Sequence, residues 1–318
     1  VASEQFLLQQ QSSKQPVGFK KAALTLKQFA DDITVSNRNF SVKINRQNGL
    51  IEQYTQGNTV LIDGAIQPNF WRAGTDNDNA LGTNSEHLLP WKHAYENRDQ
   101  LRVNISEQRD TKIKIVSEFH LPHRDVTGRL DYTINSDGVI EINMQLDLQH
   151  LPNSSELFKV GLQTSIAQSL DNISWYGRGP FENYIDRNKA ADIGQYNMHL
   201  DEFYVHYVKP QASSNRTDTR WFSVTPTNVS KSNQDVGLKV VAKQAIEFSI
   251  SPYKMHEVAS KRHPHRLQRA ESNILNIDLI QRGVGGDTGW GKNAMAAPSY
   301  RIKPGTYQYG FWLVPWQQ

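Results

Sequence analysis

Along residues 140–148 the chain alternates without a break: Ile140, Ile142, Met144, Leu146 and Leu148 are apolar, while Glu141, Asn143, Gln145 and Asp147 are polar. A period of two puts one set on a buried face and the other toward water, which predicts a half-buried strand. Residues 101–105, 112–119 and 307–313 repeat the pattern. Asn48-Gly49 and Asp137-Gly138 fall between such runs, where these dipeptides favour tight hairpin turns. Helical periodicity is weak; residues 253–269 carry its strongest trace, interrupted by Pro264. Many one-faced strands must bury their apolar sides against one another, so the pattern predicts an all-β chain of antiparallel strands in two packed layers.

The first 28 residues read differently. VASEQFLLQ has the look of a last strand from a preceding domain, and QQSSKQPVGFKK that of a linker, so the expected division is 1–28 and 29–318. The absence of an initiator Met points to a fragment of a longer protein.

Composition narrows the classes. Of 318 residues 37% are hydrophobic and 21% charged, which sets the chain apart from disordered proteins, and no apolar run approaches the length of a membrane-spanning helix. Thirty-five basic against 32 acidic residues leave a net charge of +3, too small an excess to argue for nucleic acid. Without cysteine there is no disulfide framework, thiolate nucleophile or Cys-ligated zinc. The compartment stays open, since cysteine-free proteins occur in reducing and oxidising places alike.

Candidate chemistry begins at GVGGDTGWGKN, residues 283–293, where Gly286, Gly291 and Lys292 match G-x-x-x-x-G-K. Asn293 replaces the required Ser or Thr, and Pro298 breaks the segment that should be a helix aimed at phosphate. The glycines therefore read as turn residues around Trp290. His256, His263 and His265 cluster in sequence, but in an irregular basic stretch that lacks a ligand scaffold. Asp76, Asp78, Glu182, Asp186, Glu271, Asp278 and Asp287 each read as hydrogen-bonded loop carboxylates, since spacing shows no catalytic pair. More telling are PNFWRAGTDNDNALG (68–82), WYGRGPFENYIDRNKAADIGQY (175–196) and KPQASSNRTDTRW (209–221). They combine flat aromatic faces with bidentate polar groups, as saccharide sites do.

These stretches, with LNIDLIQRGVGGDTGW, resemble in content and order the C-terminal domain of large bacterial β-galactosidases of glycoside hydrolase family 2. The resemblance spans roughly residues 33–318 and implies an antiparallel supersandwich similar to galactose mutarotase. It implies a preceding immunoglobulin-like domain and a catalytic barrel holding the acid/base and nucleophile glutamates, so this fragment is expected to be inactive alone. Trp290 matches the tryptophan of G-G-D-x-x-W that walls the galactose pocket. Gly82, Thr83 and Asn84 match the start of a loop that shifts near the site. Lys209, Pro210 and Val258 match positions offering carbonyl oxygens to a monovalent ion. The parent enzyme is expected to use magnesium and sodium, to act on galactosides and to form a homo-oligomer. The alternatives are a free-standing carbohydrate-binding module and an aldose 1-epimerase-like protein; the Asn-x-x-x-His-like signature associated with mutarotases is absent.

Overall fold

A computed structural model describes residues 4–6, 14–79, 86–151, 157–227 and 236–317. The expected alternation is present where it was read: in residues 140–147, Ile140, Ile142, Met144 and Leu146 are buried between polar neighbours facing outward. The chain opens with a meander of β1 (Thr25–Gln28), β2 (Asp32–Ser36), β3 (Phe40–Asn45), β4 (Ile51–Gln56) and β5 (Thr59–Ile62), followed by the short β6 (Gln67–Asn69). A second meander holds β7 (Asp99–Arg109), β8 (Lys112–Leu121), β9 (Val126–Asn135) and β10 (Ile140–Asp147). Then come β11 (Lys159–Ile166), β12 (Leu170–Gly179), β13 (Asp192–His199), β14 (Arg216–Pro226), β15 (Val236–Ser251), β16 (Asn273–Gln281) and β17 (Thr306–Gln317). Both predicted turns form, with Gly49 at φ +70° and Gly138 at φ +86°.

The layers arise from one long strand. Along one edge of β15, residues 236–242 pair with β17 and residues 247–251 with β16. From β17 the ladder runs through β10, β9 and β8 to β7; from β16 it runs through β11 to β5 and β6, and so back to β1. The other edge of β15 carries β14, then β12 and β13. The two expected layers are therefore branches of one antiparallel network. Their inner faces share a core in which Val35, Ile44 and Leu61 of one branch join Ile115, Leu130 and Ile142 of the other. Buried tyrosines bridge the gap: Tyr54 donates to the Gly138 carbonyl at 2.9 Å and Tyr132 to that of Gly49 at 3.2 Å.

The boundary drawn at residue 28 falls between two paired strands, because β1 is hydrogen-bonded to β2. The chain ahead of β1 is also fixed to the sheet, through Phe19 N–H to the Asp137 carbonyl (2.7 Å) and Leu24 N–H to that of Asp110 (2.8 Å). Helix is scarcer than residues 253–269 led us to expect. Only α2 (Met255–Ser260) forms there, and Pro264 starts a separate 3₁₀ turn; among the described residues the other α-helix is α1 (Leu200–Phe203). Pro264 has no N–H to extend a helical ladder, and backbone at Lys261 is already extended.

Candidate functional site

All four aromatic- and glycine-rich stretches meet at one end of the sandwich. In residues 68–79, Arg72 is buried and pairs with Asp78 at 2.7 Å, while the backbone and hydroxyl of Thr75 donate to the same carboxylate oxygen. Burial pushes the Asp78 carboxyl up, but Arg72, the Thr75 N–H and Arg282 outweigh it and hold it below the usual range. Asp76 reaches the third stretch through Lys209 Nζ and Gln211 Nε2, both at 3.2 Å. Glu182, from the second stretch, is buried and accepts from Arg187 Nη2 at 2.5 Å, from the Ser214 N–H at 2.5 Å and from the Tyr207 hydroxyl.

Behind these contacts lies a polar network of strand residues joined by Asn183 and Asn215 from the connecting segments. Asn183 Oδ1 accepts from the Thr217 N–H and hydroxyl; Asn215 Nδ2 donates to Glu247 at 2.6 Å, and Gln281 links Asn215 to Asp278. Lys159 Nζ lies 3.2 Å from Asp278 and 2.8 Å from Asn276 Oδ1. Burial pushes the Glu247 carboxyl up to about 8 against the lowering effect of Asn215 and Gln281. It also pushes Asp278 up to about 6, with Lys159 pulling down. Lys159 and Glu247 were not singled out from sequence. Their partners lie 119 and 32 residues away, so no local signal marks them.

Over this base sits the loop between β16 and β17. Gly286 has no room for a side chain, since an added Cβ would stand 2.3 Å from the Asn293 carbonyl oxygen. That oxygen accepts from the Asp287 N–H at 2.8 Å, and the Thr288 hydroxyl donates to the Trp290 carbonyl at 2.7 Å. Gly291 takes φ +70°. The result is a closed turn, followed by 3₁₀ segments Lys292–Ala294 and Pro298–Tyr300 instead of the α-helix a phosphate loop needs. Trp290, at its tip, is 77% exposed.

The remaining sequence candidates divide into those beside the site and those away from it. Gly82, Thr83 and Asn84 lie outside the described residues. Val258 is buried with Ala73, Tyr204 and Tyr253, and the Lys209 carbonyl accepts from Gln211 Nε2 at 3.3 Å, so both border the 73–76 segment. His256, His263 and His265 are exposed, and the rings of the last two stack at 5.5 Å. Among the described residues no three His, Asp or Glu side chains form a metal-binding group.

Chemically, the buried carboxylates are committed to backbone, amide, hydroxyl or cationic partners. What this end of the molecule presents outward is an aromatic face on a pre-shaped turn.

Comparison with known proteins gives three results. The family described as beta galactosidase small chain matches residues 36–313. A β-galactosidase of Priestia megaterium is 30% identical over 303 residues, covering 95% of this chain and 28% of that protein. One of Vibrio cholerae is 30% identical over 327 residues, covering 97% and 30%. This chain thus spans under a third of the length of these relatives. The crystal structure of a galactose 1-epimerase from Lactobacillus acidophilus covers 94% of this chain and 99% of its own, at 8% identity and a TM-score of 0.47; a likeness that distant carries no argument about function. No helix among the described residues is long and apolar enough to cross a membrane.

Proposed function

The chain belongs to the β-galactosidase small-chain family, and from that premise we propose that it serves as the non-catalytic C-terminal domain of a retaining β-galactosidase of glycoside hydrolase family 2. In this reading the acid/base and nucleophile glutamates lie on a barrel elsewhere in the enzyme, and an immunoglobulin-like domain precedes this one. The present chain completes the sugar pocket. The observation that carries this is Trp290: a large apolar side chain, 77% exposed, at the tip of a turn whose backbone is hydrogen-bonded closed.

The physical role follows from the indole. A galactoside presents a patch of C–H bonds on one ring face, and a flat aromatic surface desolvates that patch while leaving the hydroxyls to polar groups. Such a platform binds and orients; it neither donates nor accepts the proton that hydrolysis requires. A pre-shaped turn lowers the cost of ordering it when substrate or an acceptor sugar arrives. Of the ions expected for the whole enzyme, magnesium belongs in this reading to the parts outside this chain. Sodium would find carbonyl oxygens, at Lys209, Pro210 and Val258.

The test is Trp290→Ala in the full-length enzyme. We expect substrate binding to weaken by about 1–3 kcal/mol, seen as a raised KM and poorer transfer to acceptor sugars. An unchanged KM for a galactoside would remove Trp290 from the site.

A further inference from the structure

Resting on the assignment of Trp290 to the sugar pocket, we infer that Asp186 is the positioning residue that fixes the Trp290 loop to the rest of the domain. The carboxylate comes from a different stretch of the chain, and its Oδ2 accepts the Gly285 N–H at 2.7 Å. Gly283 packs against the same group: a Cβ there would lie 2.6 Å from Asp186 Oδ2 and 3.0 Å from the Tyr300 side chain. Gly283 N–H is already engaged by the Tyr300 carbonyl at 2.9 Å, so the ascending arm of the loop is held on two sides at its base. The closed turn begins at Gly286, the residue after the bonded Gly285, so its backbone is joined directly to the base. Whatever sets Gly285 therefore sets the indole five residues on.

Asp186 is itself held rigidly. It lies between Tyr184 and Arg187, whose backbones form an antiparallel bridge with Arg187 N–H to the Tyr184 carbonyl at 2.8 Å. Tyr184 is buried, the Arg187 guanidinium covers its ring at 4.8 Å, and Arg187 pairs with buried Glu182. The second carboxylate oxygen, Oδ1, is shielded from solvent and makes no hydrogen bond with a described residue. Leaving a charged acceptor so disposed is costly, and the compensation visible here is the single charge-assisted bond to the loop. A carboxylate needed only to cap its own turn would be placed in water.

The experiment uses the full-length enzyme and reads two quantities. In Asp186→Ala, backbone amide exchange across residues 283–294 is expected to quicken roughly tenfold, as for loss of a charge-assisted hydrogen bond. KM should rise by less than in Trp290→Ala, with kcat largely kept, and adding Asp186→Ala to Trp290→Ala should change KM little further. Asp186→Asn, which retains an acceptor for Gly285, should restore most of both. Should the alanine variant fail to fold, Asp186→Ser, polar but too short to reach Gly285, takes its place. Unchanged exchange in the loop, or KM effects of the two sites that simply multiply, would overturn the inference. If Trp290→Ala leaves KM unchanged while Asp186→Ala still loosens the loop, the sugar-site reading falls and the anchoring by Asp186 stands.

Discussion

Glu247 is a carboxylic acid set among amides with no cation bonded to it: Asn215 and the Gln281 N–H are its donors, and burial lifts it to about 8 from an ordinary 4.5. The folded chain thus binds this proton more tightly than the unfolded chain does. Its stabilising contribution is complete below the ordinary glutamate value, shrinks as pH rises above it, and is gone once pH passes about 8. Asp278, lifted to about 6, acts in the same direction over the lower part of that window. We expect the thermal midpoint to decline across this range and Glu247→Gln, which cannot ionise, to flatten the decline. An identical pH slope in the variant would assign the titration elsewhere. At this scale the sequence was nearly silent: Lys159 and Glu247 look like ordinary strand polars until the sheet brings Asp278 and Asn215 beside them. The turn that carries Trp290 was legible because its glycine-rich flanks are local.

Hairpins were the best-read elements, and the reason is that a turn is encoded by the residues that make it. Asn48-Gly49 also shows what the local code omits. Gly49 has φ +70°, as the turn requires, and in addition a Cβ there would stand 2.1 Å from Ser117 Oγ on β8, in the opposite layer. Gly57, at φ +53°, has nothing within 4 Å. Gly57→Ala should therefore cost about 1 kcal/mol of strain, and Gly49→Ala roughly 2 kcal/mol or more, in urea unfolding of the isolated chain. Equal losses would mean that the contact between layers yields freely. The helical trace over 253–269 failed for the complementary reason. Its apolar residues Tyr253, Met255, Val258 and Leu267 serve one small cluster with Ala73 and Tyr204, and the backbone is already extended at Lys261, so the helix ends at Ser260.

For the molecule as a whole, the alternation of single strands announced an antiparallel sandwich but not how its layers are joined. The fork at β15, where residues 236–242 and 247–251 choose different neighbours, depends on pairings between distant segments that no local period records. Near the fork, contacts among the four aromatic- and glycine-rich stretches lock several of their carboxylates into structure. The isolated chain should therefore give no turnover of a chromogenic β-galactoside; robust hydrolysis would contradict a domain without catalytic glutamates. A last consequence comes from the exposure of Trp290. A side chain 77% in solvent contributes little to folding. Variants chosen for yield, solubility or heat resistance of this chain alone would pass freely through that position. On the proposed reading, the use of an indole there comes from a neighbour the domain does not itself contain.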